Sequence, residues 1–187
     1  MAGTIATLAF FVGAFLSIGA GHGAADGLRH RGCARGMHIR AAVPALADAL
    51  DAGLSDSATL RALVDEIETS DLLVYLTFDF SPAAATAGHI SLMSTAGGYR
   101  YLRLAVNPRY DGWRRVGILA HELRHAVEIA RDASVIDQRS LASLYRRIGY
   151  PSGERSFESA AAIAAGAQVF EEMRQSRRAT TTPRPGR

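Results

Sequence analysis

The sequence predicts an α+β fold, in which a small antiparallel sheet with a hairpin packs on a long helix and is followed by further helices. Apolar residues alternate with polar ones from Leu72 to Phe80, which is typical of a half-buried strand. Two more strand-like segments, residues 89–95 and 99–106, flank Ala96-Gly97-Gly98, which is typical of a hairpin turn. Apolar residues at helical spacing dominate the chain after residue 111.

Helices are predicted from apolar spacing and from the residues that begin and end them. Asp56 or Ser55 is expected to cap the second helix, and Asp111 the third. Gly149-Tyr150-Pro151 ends the fourth helix, because glycine and proline interrupt helical structure. The predicted helices span residues 41–54, 57–69, 112–133, 137–148 and 156–177.

Composition indicates one globular domain. The chain has 187 residues, of which 48% are hydrophobic and 21% charged, and this is enough apolar surface to build a core. Its single cysteine, Cys33, excludes a disulfide scaffold. The net charge is +3 and the basic residues are all arginine, scattered rather than arranged in a stripe. We therefore expect no nucleic-acid partner.

The N-terminus predicts export or membrane anchoring. Residues 2–20 are apolar and uncharged, and small residues follow up to Ala25, which is typical of a secretory signal cleaved near that residue. No arginine precedes this run, whereas four follow it between Arg29 and Arg40, so an uncleaved anchor through residues 2–20 is the alternative to a cleaved signal. The predicted organisation is a signal or anchor at 1–25, a linker at 26–40, a domain at 41–178 and a disordered tail at 179–187.

The third predicted helix carries the chemistry, in the pentapeptide His121-Glu122-Leu123-Arg124-His125. Histidines four residues apart lie on one face of a helix, about 6 Å apart along its axis. This spacing allows both imidazoles to bind one Zn²⁺. Glu122 lies beside that face and is the expected general base for the attacking water.

Glu158 is the best candidate for a third metal ligand. It opens the last predicted helix, and small residues on the same helix face would allow close approach to the histidines; these are Ala161, Ala162 and Ala165. Glu128, one turn after His125, is the alternative, although direct ligation from the same helix would be strained. A supporting contact or an ion pair with Arg124 or Arg131 suits Glu128 better.

A hydrolase of this kind also needs a donor for the developing oxyanion. Tyr145 and Tyr150 rank equally as candidates, with Arg147 beside them, because all three lie between the histidines and Glu158 in the chain. Simple packing is the alternative role for each tyrosine.

The run from His121 to Ala130, with Phe157-Glu158-Ser159-Ala160-Ala161, resembles the compact gluzincins of the zincin superfamily, in particular small exported bacterial zincin-like proteins. The resemblance covers roughly residues 70–175. It implies a zincin-like fold, a peptide or protein substrate, and a strand that pairs with an extended peptide, either Tyr99 to Val106 or its hairpin partner. The chain departs from the family pattern at Ala162, where an acidic residue usually supports a histidine ligand.

The sequence thus predicts a zinc-dependent metallopeptidase with His121, His125 and Glu158 on the metal and Glu122 as base. Glu122 would pass the proton that it accepts to the leaving amine. One alternative is a catalytically inactive zincin-like domain that binds metal or a protein. Another is a membrane-anchored interaction domain in which the HExxH pattern is accidental.

Overall fold

Five helices and six strands make up the parts of the chain described by the computed structural model, which are residues 38–81, 86–152 and 157–181. The predicted signal or anchor, the linker up to residue 37 and the tail from residue 182 lie outside these residues. Within the described ranges, no helix has the length and apolar character needed to cross a bilayer.

Four strands form one mixed sheet in the order β1-β2-β4-β3, and these are β1 (Ile39–Ala41), β2 (Leu72–Phe78), β3 (Gly88–Ala96) and β4 (Tyr99–Val106). The predicted α+β class is confirmed. The prediction of an antiparallel sheet is wrong for most of it, because β1 pairs with β2 and β2 with β4 in parallel. Only the predicted β3–β4 hairpin is antiparallel.

Parallel pairing of β1 and β2 requires a crossover, which is supplied by α1 (Pro44–Asp56) and α2 (Ala58–Glu68). β1 begins inside the predicted linker 26–40 and was not predicted. The N-cap prediction for α2 is also wrong. Ser57 caps this helix, and its hydroxyl accepts a 3.0 Å hydrogen bond from the backbone N–H of Leu60.

Three helices follow the sheet: α3 (Gly112–Ala130), α4 (Gln138–Ile148) and α5 (Ala160–Thr181). Asp111 is the N-cap residue of α3, as predicted, although its side chain makes no capping hydrogen bond. α5 begins later than predicted, because two short strands pair ahead of it, β5 (Tyr150–Pro151) and β6 (Phe157–Glu158).

The end of α3 is fixed to the sheet by a buried arginine at the start of β4. Arg100 is only 2% exposed and donates hydrogen bonds to both carboxylate oxygens of Asp71, at 2.6 and 2.9 Å. Its guanidinium also donates to the backbone oxygens of Ile129 and Asp132, both at 2.8 Å. These bonds satisfy carbonyls that the end of a helix leaves unpaired.

α5 is tied to α2 through Glu172. Its carboxylate accepts hydrogen bonds from the hydroxyl of Ser57 and from the hydroxyl of Thr59, the latter at 2.7 Å. Burial alone would raise the pKa of Glu172, but hydrogen bonds from Ser57, Gln168 and Thr59 lower it to about 2. Glu172 is therefore ionised over the ordinary range of pH.

Close contact between α3 and α5 depends on two glycines. Gly117 and Gly166 face each other, and a Cβ added at Gly166 would lie 3.0 Å from the Cβ of His121 and 3.1 Å from the backbone oxygen of Gly117. Larger residues at this crossing would push α5 away from the helix that carries the histidines.

Candidate metal centre

α3 presents the HExxH residues to a cleft because its opposite face is buried in the core. Leu119 and Leu123 on that face are fully buried. His125 and Glu122 are 4% and 5% exposed, whereas the side chain of His121 is 23% exposed at the cleft. The helix therefore holds both imidazoles in a largely desolvated position.

Glu158 meets both histidines. Nε2 of His121 lies 3.2 Å from one carboxylate oxygen of Glu158, and Nε2 of His125 lies 3.3 Å from the other. One ligand atom from each of the three residues lies within 4.8 Å of the others. Two donors at zinc-ligand distances from a tetrahedral ion are separated by about 3.3 Å, so this group can hold a metal ion.

Glu158 reaches this position from β6 and not from a helix, which corrects the predicted placement. In the β5–β6 pair, Glu158 lies opposite Tyr150. The connecting residue, Gly149, lies so close to this strand that an added Cβ would be 2.3 Å from the backbone oxygen of Glu158. Glycine at position 149 thus allows the ligand strand to approach the end of α4.

Glu128 supports His125 and does not belong to the ligand group. Its Oε2 lies 3.0 Å from Nδ1 of His125, on the side of the ring away from Glu158. Its Oε1 accepts a 2.7 Å hydrogen bond from the hydroxyl of Ser159, the residue that follows Glu158. Burial would raise the pKa of Glu128, but the bonds from His125 and Ser159 lower it. An ionised Glu128 fixes the tautomer in which Nε2 of His125 is available to a metal.

The two predicted oxyanion donors lie in different surroundings. Tyr145 is buried, and its hydroxyl lies 3.0 Å from Nδ1 of His125, on the same side as Glu128. Burial, with the negative charge of Glu128, raises the pKa of the Tyr145 phenol, which therefore stays protonated. These contacts make Tyr145 a support for His125.

The side chain of Tyr150 is 47% exposed and does not line the cleft. Arg147 is exposed too, and its guanidinium pairs with Asp132. Within the described residues, neither side chain forms a hydrogen bond or ion pair with the histidines. The role of Tyr150 in catalysis therefore stays a prediction.

Glu122 lies at the floor of the cleft beside His121, His125 and Glu158, which together are called the metal group below. Its burial raises its pKa to about 7, with the charge of Glu158 acting in the same direction and that of His125 against it. No hydrogen bond joins Glu122 to another residue in the described part of the chain. Gly88 of β3 approaches this carboxylate closely, and an added Cβ there would lie 2.8 Å from Oε1 of Glu122.

The cleft has a volume of about 1400 Å³ and runs along α3. One wall consists of Thr86, Ala87 and the first residues of β3 up to Ser91, and β3 forms the open edge of the sheet within the described residues. The other walls come from α4, β6 and α5, and they include Leu141, Phe157 and Ile163. This space admits an extended chain of several residues above the metal group.

Sequence reasoning did not assign Ser159, Gly88 or Gly149 to the site. Ser159 also accepts a hydrogen bond from the backbone N–H of Ala162 and so begins α5 while it holds Glu128. The sequence did contain a signal for the close contact of α3 and α5, since Gly117 and Gly166 interrupt otherwise helical patterns and such glycines usually have a packing reason.

Comparison with known proteins finds no matching protein family, no matching curated protein and no matching solved structure, so the assignment of this centre rests on its own residues.

Proposed function

We propose that the protein is a zinc-dependent peptide hydrolase. The observation that carries this proposal is the juxtaposition of Glu122 with the group formed by His121, His125 and Glu158, at the floor of a cleft bordered by a strand edge. Three protein ligands that leave a position for water and substrate are the usual arrangement of a catalytic zinc, whereas structural sites use four.

The donor set supports zinc over the common hard cations. Two neutral imidazoles and one carboxylate suit Zn²⁺, while Mg²⁺ and Ca²⁺ prefer sites built mainly from oxygen atoms. When bound, zinc lowers the pKa of water and polarises a carbonyl group. The hydrogen bond between Glu128 and His125 supplies the support that the family pattern places at Ala162.

Glu122 moves the proton in this mechanism. Its carboxylate accepts a proton from the attacking water and then donates it to the amine that leaves. Burial raises the pKa of this carboxyl, so Glu122 holds an accepted proton more firmly than an exposed glutamate does before it releases the proton to the amine. Its burial also keeps bulk water from competing for that proton.

The edge of β3 supports a peptide as the substrate. The backbone oxygen of Ala87 accepts a 2.9 Å hydrogen bond from Asn107, so the neighbouring Gly88 and then Ile90 direct their N–H and C=O groups away from β4. At Leu92 this edge is closed by a 2.7 Å hydrogen bond from the side chain of Gln138. An extended peptide can thus pair with a short stretch of β3 beside Glu122.

The second candidate function is metal-dependent peptide binding without turnover. One observation favours it: of the two predicted oxyanion donors, Tyr145 contacts His125 and Tyr150 is exposed. Loss of one oxyanion donor costs about 10²–10³-fold in rate in well-studied hydrolases, so a site without one would bind peptides and cleave them slowly.

A cleavage assay with matched variants tests the proposal. We expect the wild-type protein to hold one zinc and to cleave members of a broad peptide library detected by mass spectrometry. Glu122→Gln should keep the zinc and lose about 10²–10⁴-fold in rate, which is the usual contribution of general acid–base help. Glu66→Gln, on the surface pair with Arg131, should behave as wild type.

The two candidates give different results in this assay. A zinc-loaded wild type that cleaves nothing would favour peptide binding without turnover. Cleavage by Glu122→Gln at the wild-type rate would contradict the role of Glu122 and with it the proposed mechanism.

A further inference from the structure

One end of the cleft carries an arginine outside the metal group. Arg114, Ile118, His121 and His125 line the cleft together, and their spacing of four, three and four residues places them on one stripe of α3. At 1.5 Å rise per residue, the Cα of Arg114 lies about 10 Å from that of His121 along the helix axis. The arginine therefore lies two turns from the metal group, on the same face.

Arg114 makes no hydrogen bond or ion pair within the described part of the chain, although many other arginines there are paired. Arg131, for example, pairs with Glu66 and Arg174 with Glu171. Among the described residues that line the cleft, the other basic side chain outside the metal group is His89, and its Nδ1 lies 3.8 Å from a carboxylate oxygen of Asp79. An unpaired guanidinium in a cleft is available to an anionic ligand.

The two ends of the cleft differ in charge. Arg114 brings a positive charge to one end, and Tyr110 and Phe170 line the same cleft. The opposite end is lined by side chains without charge, and these are Gln138, Leu141, Ala142 and Phe157. A ligand with one carboxylate and one apolar end would be oriented by this difference.

The direction of β3 decides which end of a peptide reaches Arg114. β3 starts at Gly88, close to Ile118 and Glu122. It reaches the segment that joins α3 to α4 at Thr95, whose hydroxyl donates a 3.0 Å hydrogen bond to the backbone oxygen of Ile136. Antiparallel pairing is the more stable of the two modes. A peptide paired in this way has its C-terminal side directed to Arg114.

We propose that Arg114 binds a carboxylate on the C-terminal side of the peptide, about three residues beyond the bond at the metal group, since an extended chain rises about 3.3 Å per residue. This proposal rests on the proposed function, because the metal group defines the position from which the residues are counted. Either the terminal carboxylate of a short peptide or an acidic side chain supplies the same bidentate acceptor for a guanidinium.

Metal-anchored probes test this site without any cleavage. A hydroxamate that binds the zinc is joined to one to four neutral residues and ends either as a free acid or as an amide. Binding to the zinc-loaded full chain is measured by calorimetry. Arg114 is exposed, so we expect the free acid to bind about two- to five-fold more tightly than the amide when three residues follow the hydroxamate, as for other solvent-exposed ion pairs.

Arg114→Gln should abolish this preference, while Arg103→Gln, an exposed arginine of β4 outside the cleft lining, should keep it. Amide probes with Asp or Asn as the third residue separate the two sources of the carboxylate. Preference for Asp alone assigns Arg114 to an acidic side chain, and preference for the free acid alone assigns it to the chain terminus.

The outcomes separate this proposal from the proposed function. Equal binding of acid and amide to the wild type, or a preference that persists in Arg114→Gln, would overturn the role of Arg114. If the acid preference depends on Arg114 but no peptide is cleaved, the carboxylate site stands and the hydrolase proposal fails. If neither probe binds, both proposals fall.

Discussion

Replacing Gly149 with alanine should displace Glu158 and weaken metal binding. The added Cβ would lie 2.3 Å from the backbone oxygen of Glu158, whereas ordinary contacts begin at 3.4 Å, so the ligand strand must move by the difference of 1.1 Å. Metal–ligand distances tolerate only about 0.2 Å. We therefore expect zinc affinity to fall at least as far as it does for lost supporting contacts, about 10–100-fold.

Competition with a chromophoric zinc chelator at fixed pH measures this change. Gly98→Ala is the control, because Gly98 lies in the β3–β4 turn with φ of 81° and has nothing within 4 Å of the added Cβ. That variant should lose about 1–2 kcal/mol of stability through backbone strain and keep its zinc affinity. Wild-type affinity in Gly149→Ala, or an equal loss in Gly98→Ala, would refute the reasoning.

Three further substitutions test individual contacts. Glu128→Gln should weaken zinc binding about 10–100-fold, because the charged partner of His125 is lost, and chelator competition measures this. Glu172→Gln should lower the free energy of unfolding in urea at pH 7 by about 1 kcal/mol. This difference in the free energy of unfolding between wild type and variant should be fully present above the ordinary glutamate pKa of 4.5. It should disappear as the pH falls to about 2, since only the ionised carboxylate is stabilised. Arg100→Leu should lower the free energy of unfolding by about 1–3 kcal/mol, because it leaves the buried backbone oxygen of Ile129 without a donor.

Each of these substitutions has a matched control that leaves the tested contact intact. Glu66→Gln should keep zinc affinity. Glu171→Gln, which removes an exposed pair with Arg174, should lose less stability than Glu172→Gln. Arg103→Leu should change stability by less than about 0.5 kcal/mol. Unchanged zinc affinity in Glu128→Gln would contradict the support of His125. A loss of stability in Glu172→Gln that is independent of pH would contradict the role of the ionised Glu172. A loss in Arg100→Leu no larger than that in Arg103→Leu would contradict the role of Arg100.

Local patterns were sufficient to predict α3, the β3–β4 hairpin and the HExxH residues. Helical spacing depends on residues a few positions apart, and Gly97 and Gly98 adopt the positive φ values that a tight hairpin turn requires. The position of β1 was not predicted, because three residues carry too little periodicity and their pairing with β2 depends on residues more than thirty positions away.

Glu158 was predicted as a ligand but on the wrong element. Its strand exists because residues 157–158 pair with residues 150–151, and no local pattern encodes that pairing. The bond between Ser159 and Glu128 likewise joins residues 31 positions apart. The contact between Glu128 and His125, in contrast, follows from their spacing of three on one helix, and a supporting role for Glu128 was expected on that ground.

Zinc stoichiometry of the wild-type protein and of Glu158→Ala, measured by atomic emission after dialysis against a weak chelator, tests the central claim most directly. The geometry of His121, His125 and Glu158 predicts one zinc per chain in the wild type and strong loss in Glu158→Ala. Full retention of zinc in Glu158→Ala, or a wild type that retains none, would contradict this assignment of the metal centre.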